Sequence, residues 1–289
     1  MNVREFIVVW LSAVKYAYKD NTYRGTVVNA NHISERFGQK ELSEVTAFDI
    51  QGFYNSLMDK GYKPKTIHYI HTTFNALMSY AHELGLIALN PCNAVILPKQ
   101  RSSFEYNVLD ADQLIKLLDY CRDNDTLIYL PVLLASCLGL RRGEVLGLQK
   151  SDIKGCVISI RRSVIYHNGE RYVSSPKTKH SIRHILASQL IIDEINAYSD
   201  DGEYICNITQ NQLNSRFKHV VNKLNFSIRF HDLRHTYATL LLSCDVPAKI
   251  VSERLGHSGI EITLDLYTHV DINMQRQAQD ALDYILTKN

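Results

Sequence analysis

The stretch from Phe230 to Val270 gathers the side chains best suited to chemistry in this chain. It reads Phe230-His231-Asp232-Leu233-Arg234-His235, then an apolar run, then Leu255-Gly256-His257-Ser258, and closes on Leu266-Tyr267-Thr268-His269-Val270. His231 and Arg234, three apart, fall on one face of a helical turn. His257 sits on a glycine turn, and Tyr267 follows ten residues later. These types suit a phosphodiester. A guanidinium forks onto phosphate oxygens, imidazoles shuttle protons, and a phenol can act as nucleophile. A free phenol has a pKa near ~10, so attack at neutral pH needs a base and cationic neighbours. No cluster of Asp and Glu accompanies these residues, so nothing in the pattern calls for a metal.

The three boxes resemble the carboxy-terminal half of the tyrosine recombinases, the phage integrase family. The family's His-x-x-Arg stands here as His231-Asp232-Leu233-Arg234, its Leu-Gly-His as Leu255-Gly256-His257, and its tyrosine box as Leu266 to Val270. Upstream, Gly139-Leu140-Arg141-Arg142-Gly143-Glu144 is similar to the family's first arginine box. The resemblance makes Arg141 catalytic, with Glu144 supporting it. Arg142 is not required by the pattern and reads as exposed or as a backbone contact. Ser175-Pro176-Lys177-Thr178-Lys179 looks like the setting of the family's essential lysine. Lys177 is preferred there, Lys179 is its nearest competitor, and both could be plain phosphate contacts.

The resemblance implies roles for six residues. Arg141 and Arg234 bind the nonbridging oxygens as charge grows on the phosphorus. His231 accepts the proton of Tyr267, and His257 donates a hydrogen bond to the phosphate. Tyr267 forms a 3′-phosphotyrosyl link, and Lys177 protonates the leaving 5′-hydroxyl. A lysine beside arginines has its pKa lowered, which helps it release a proton. His235 reads as structural, and Tyr237 and Tyr284 as packing. The resemblance further implies double-stranded DNA as substrate, a homotetramer on two DNA sites, accessory DNA-bending or directionality proteins, and no metal, ATP or other cofactor. Integration or excision of a mobile element is the expected role. Chromosome-dimer resolution and topoisomerase-like nicking share the chemistry. A noncatalytic regulator stays open as well, because Pro247 to Val270 also reads as a helix-turn-helix DNA reader, with His257 in the turn.

Composition agrees with a globular chain of two domains: 289 residues, 45% apolar and 21% charged. The formal net charge of +2 says little, but its distribution says more. Ten Lys and Arg against three Asp and Glu lie between Arg141 and Arg183, whereas Glu261 to Asp283 holds five acids and one Arg. A basic middle suits a polyanion held in a groove. The six scattered cysteines form no Cys-x-x-Cys pair and read as reduced cytoplasmic thiols. The apolar run Phe6 to Val14 is bounded by Glu5 and Lys15 and reads as a buried helix. The run from Leu127 to Leu140 is too short to span a bilayer, and no membrane partner is expected.

The expected fold is mainly α with one small antiparallel β-sheet. Residues 1–97 read as a helical core-type DNA-binding domain, 98–107 as a basic linker, and 108–289 as an α+β catalytic domain whose tail helix starts near 272. In the first part, helices are expected over Val3–Tyr18, Thr22–Phe37, Thr46–Lys60 and Lys65–Leu84. Thr46 precedes Asp49 at capping-box spacing, and Gly61 and Gly85 act as stops. Lys63 and Lys65 at a helix start suit either a phosphate grip or ordinary solvation. In the second part, Asp110–Tyr120 and Leu127–Leu138 read as helices. Cys156–Tyr166, Arg171–Ser174 and Ile182–Leu186 read as strands, with Asn168-Gly169 as a hairpin turn. Helices follow over Ser188–Tyr198, Gln210–Leu224, His231–Ser243, Pro247–Leu255 and Gly259–Thr268. The tail over Ile272–Leu286 could dock on a neighbour or on its own domain.

Overall fold

The structure is a computed structural model that describes residues 1–99, 107–167, 170–174, 182–256 and 259. The chain divides into two compact units, Met1–Ser103 and Phe104–Asn289. Most of the expected linker lies outside the described residues, as does everything beyond Gly259.

The first unit is built from α1 (Val3–Val14), α2 (Asp20–Phe37), α3 (Ala47–Asp59) and α4 (Pro64–Glu83). Two of these helices begin where side chains satisfy their free N–H groups. Asn2 and Glu5 cap α1 reciprocally, and Thr46 and Asp49 do the same for α3. Pro64 stands at the first position of α4, where its missing N–H costs nothing. α1 stops at Val14, short of the expected Tyr18, and the N–H groups of Ala17 and Tyr18 share the Val14 carbonyl in the turn that follows. Val3, Phe6, Ile7 and Trp10 recur at helical spacing and face a core shared with Ile33, Phe37, Ile50, Tyr54, Ile67, Phe74 and Leu77.

The second unit packs α5 (Ala111–Asn124) on α6 (Thr126–Cys137), followed by the single turn α7 (Arg142–Val145). Among the described residues five strands come next: β1 (Ile153–Lys154), β2 (Val157–Ile160), β3 (Ser163–His167), β4 (Glu170–Ser174) and β5 (Arg183–Leu186). Four helices complete the described part: α8 (Gln189–Tyr198), α9 (Gln210–Lys223), α10 (Asp232–Ser243) and α11 (Ala248–Leu255). α6 is buried from Ile128 to Ser136 and touches α5, α7, α8, α9 and α10. An element apolar on all sides becomes the axis of its domain.

The class mainly α with antiparallel β holds, but the sheet is in two pieces. β2 lies between β1 and β5, with Ile158 opposite Ile185, while β3 and β4 form a separate hairpin. The expected continuous strand over Cys156–Tyr166 breaks at Arg161-Arg162. Arg162 donates both terminal nitrogens to the buried carboxylate of Asp152 and one also to the Gly147 carbonyl. That pull takes the chain off one sheet before it enters the next. His167 pairs with Glu170, and the expected turn residues Asn168 and Gly169 lie outside the described residues.

Between α6 and α7, Gly139 has φ +66. A Cβ there would lie 2.5 Å from Tyr237 Cδ1 and 2.6 Å from Leu255 Cδ2. Gly139→Ala combines left-handed strain with overpacking, about 2–4 kcal/mol together. The expected result is a melting temperature lower by roughly 5–12 °C for a domain of this size. A shift under about 2 °C would contradict this packing.

Candidate active site

Arg141 is the N-cap residue of α7, in extended conformation, and Glu144 lies in the first turn. The Glu144 carboxylate accepts the Arg141 backbone N–H at 2.8 Å and Arg141 Nη1 at 2.9 Å. Arg183 of β5 then forks onto the same carboxylate, Nη1 to Oε1 at 3.0 Å and Nη2 to Oε2 at 2.9 Å. Burial alone pushes the Glu144 carboxyl up. The hydrogen bond and charge of Arg183, with the charge of Arg141, outweigh burial and hold it below its ordinary value.

The three arginines of this cluster reach one helix end. Arg183 Nε donates to the Arg254 carbonyl at 2.7 Å, Arg234 Nη2 to Leu255 at 2.7 Å, and Arg141 Nη2 to Gly256 at 3.0 Å. These are carbonyls that a helix cannot satisfy internally, at the negative end of the α11 dipole. Gly256 closes the helix in left-handed conformation, φ +65, as a C-terminal cap requires. Arg234 Nη1 also donates to the Gly139 carbonyl at 2.6 Å, so this side chain ties the arginine turn to the end of α11. Burial, then the charge of Arg141, pushes the Arg234 guanidinium down to about 9, which leaves it charged at neutral pH. Three guanidinium groups against one carboxylate leave the cluster in net positive charge, which suits an anion.

His231 stands at the N-cap position of α10, its ring edge-on to His235 at 5.1 Å. Asp232, buried beside it, accepts three hydrogen bonds from Arg229 and so fixes the start of the helix. Burial, then the charge of Arg234, lowers the His231 pKa from its ordinary value, so the imidazole is neutral at pH 7 and able to take a proton. Burial, then His231, pushes His235 down to about 4. Arg142 is partly buried, and its Nη1 bonds Asn214 at 3.1 Å. Tyr237 is core, as expected, with its hydroxyl accepting from Arg254 Nε.

The lowered histidines give a pH prediction. A folded-state pKa below the unfolded value means that the unfolded chain binds more protons as pH falls. Stability should therefore drop between pH ~6.5 and ~5, above the ordinary carboxylate range. His71 of the first unit, also lowered by burial, adds to the same trend. The urea midpoint should fall over this window, and His235→Gln should flatten the fall for the second unit. A midpoint that stays level from pH ~7 to ~5 would refute this.

The structure thus brings Arg141, Arg234 and His231 together, with Glu144 beneath Arg141. Lys177, its competitor Lys179, His257 and Tyr267 lie outside the described residues, as do the turn-and-helix alternative beyond Gly256 and the tail helix. Among the described residues, no group of His, Cys, Asp and Glu is placed to hold a metal ion. No described helix is long and apolar enough to cross a membrane. Arg183 escaped the sequence reading. The one signal was a cation at an inward position of a strand, in phase with buried Ile185.

Helical unit, α+β unit and a cluster of arginines beside an imidazole are of the kind that phosphodiester transfer uses. Comparison with known proteins agrees. The profile of the phage integrase family matches residues 203–274, and that of the N-terminal SAM-like domain of phage integrases matches residues 2–58. A tyrosine recombinase XerC-like protein of Caldanaerobacter subterraneus subsp. tengcongensis is 30% identical over 93% of this chain and 77% of its own length. The ICEBs1 integrase of Bacillus subtilis is 26% identical over 97% and 82%. Among solved structures, the Tn1549 transposon integrase in complex with transposon right end DNA superposes with a TM-score of 0.80 at 20% identity, over 98% of this chain and all of that one. A lambda integrase dimer bound to a COC′ core site gives 0.74 at 18% identity, over 91% and 97%. The chain belongs to the tyrosine recombinase, or phage integrase, family and is a tyrosine-type site-specific recombinase.

Proposed function

We propose that this chain integrates or excises a mobile element, by cutting and rejoining DNA through a 3′-phosphotyrosyl link on Tyr267. The observation that carries the reading is the placement of Arg141 and Arg234 on the carbonyls of Gly256 and Leu255, immediately before His257. The Tyr267 oxygen attacks phosphorus, and His231 takes the phenolic proton. The bond from phosphorus to the 5′-oxygen breaks as Lys177 protonates that oxygen. Arg141, Arg234 and His257 hold the nonbridging oxygens as charge builds on them. A 5′-hydroxyl from a partner strand then attacks the tyrosyl link, which releases Tyr267 and reseals the DNA. The phosphodiester bond energy stays in the link, so neither nucleotide nor metal has a role.

Residues 1–97 act as the clamp on one side of the duplex, tethered through 98–107 to the catalytic unit 108–289. Lys63 and Lys65 at the start of α4 supply its phosphate contacts. Four copies on two sites in the cytoplasm, with accessory DNA-bending or directionality proteins, form the working assembly. A lambda integrase tetramer bound to a Holliday junction, similar in fold, supports that number. Mobile-element relatives, among them the Lactococcus lactis prophage ps2 probable integrase, favour integration or excision. The XerC relatives keep dimer resolution as the second reading, and exchange between two copies of one identical site would select it.

The test uses supercoiled plasmid carrying the DNA that flanks the gene, with EDTA and no nucleotide. The expected products are relaxed circles and, on a denaturing gel, protein joined to a DNA 3′ end with a free 5′-hydroxyl opposite. Binding to the flanking DNA without an adduct would transfer the reading to a noncatalytic regulator.

A further inference from the structure

The geometry points to Arg183 as a positioning residue of the strand-transfer reaction, acting through Glu144 to keep Arg141 in register with the end of α11. This inference rests on the chemistry proposed above. The Arg183 side chain is 6% exposed, against 37% for Arg141. Its fork is already filled by the Glu144 carboxylate, which takes the place a phosphate would occupy, and Nε is held by the Arg254 carbonyl. All three of its nitrogens are engaged, two of them on a carboxylate that already neutralises the guanidinium, whereas Arg234 places only its terminal nitrogens, on neutral carbonyls, and keeps its charge for an anion. Arg183 is therefore not placed to meet the substrate. It can only set the position of groups that do.

What it sets follows from the shared carboxylate. Glu144 is a buried anion with two guanidinium neighbours, and each one's reach is limited by the other. Because Arg183 forks across both oxygens, the Arg141 side chain places only Nη1 on Glu144, and its Nη2 is left to the Gly256 carbonyl. Without Arg183 the buried carboxylate has one cation left within reach. A buried charge that loses a partner draws in the one that remains. Arg141 would then swing into a bidentate pair with Glu144 and leave both Gly256 and the anion site. The neighbourhood adds to this coupling. Arg183 lies on the strand that returns from the Lys177 segment, and a Cβ on Gly256 would meet its Cδ at 3.0 Å. One side chain thus joins the arginine turn, the strand after Lys177 and the backbone before His257.

The experiment is single-turnover trapping of the covalent adduct on the flanking-DNA plasmid, with protein in excess, for wild type, Arg183→Met, Arg183→Lys and the double variant Arg183→Met/Glu144→Gln. Rate constant, burst amplitude and DNA affinity are read separately, below each protein's melting temperature. Positioning predicts a rate constant lower by about 10²-fold in Arg183→Met, the scale at which a small misplacement acts, with DNA affinity within about threefold. Arg183→Lys, which keeps the charge without the fork, falls between. The double variant recovers at least about tenfold over Arg183→Met, because a neutral amide in place of the carboxylate no longer captures Arg141. A merely structural role predicts the wild-type rate constant with an amplitude reduced in proportion to the folded fraction, and a double variant no better than the single. Either result overturns the inference while wild-type cleavage leaves the function standing. If Arg183→Met does not fold, Arg183→Lys and the double variant decide by the same rate constants. Wild type without any adduct overturns both readings together.

Discussion

Tyr267→Phe is expected to bind the flanking DNA as wild type does and to leave no covalent adduct and no relaxed plasmid. The substitution removes one oxygen, the atom proposed to attack phosphorus. No neighbouring hydroxyl restores it, because the activation needed is specific to place. The phenol must lose a proton near neutral pH although its ordinary pKa is near ~10. Cationic neighbours and a neutral acceptor would make that feasible, and the arginine cluster with His231 contains both kinds of group. Loss should reach the background of the uncatalysed reaction, and any adduct that persists would place the nucleophile on another of the 17 tyrosines. Because binding is measured in the same samples, loss of folding and loss of the nucleophile separate cleanly.

Arg234→Ala is expected to cost both stability and rate. Its two terminal nitrogens hold the carbonyls of Gly139 and Leu255, at 2.6 and 2.7 Å, and the residue is 3% exposed. Truncation strands both acceptors away from water and loses two charge-assisted bonds, together about 3 kcal/mol or more. For a unit of this size that is roughly 6–12 °C in melting temperature. Cleavage should fall by at least about 10³-fold, since the donor proposed for the developing charge is lost and the arginine turn is cut loose from α11. Arg234→Lys isolates the second effect. It keeps a cation but offers a point charge that cannot reach two separated carbonyls, so stability should recover in part and the rate should stay about 10²-fold low. Wild-type cleavage in the lysine variant would show that charge alone suffices and that the bridge between the two carbonyls is idle.

The arginine turn and the end of α11 therefore behave as one object. Arg141, Arg183 and Arg234 each satisfy a different carbonyl of residues 254–256. A helix terminus that would otherwise repel an incoming anion through its dipole is covered by cations. The same bonds orient the backbone that leads directly to His257.

By itself the sequence determined what depends on neighbours along the chain. The Thr46–Asp49 cap acts over three residues, and the apolar run of α6 within a single helix. The order and spacing of the boxes around Arg141, His231 and Arg234 marked the residues that the fold brings together. Lys177, His257 and Tyr267 rest on those boxes alone. Tertiary structure decided what depends on register and on partners far along the chain. The strand expected over Cys156–Tyr166 splits because Asp152 draws Arg162 aside. Arg183 meets Glu144 across 39 residues and Arg254 across 71, and Arg234 meets Gly139 across 95. An arginine's partner at such separation is fixed by which carbonyls the packed helices leave unsatisfied. Those carbonyls are created only when α11 ends at Gly256 beside β5 and the turn before α7.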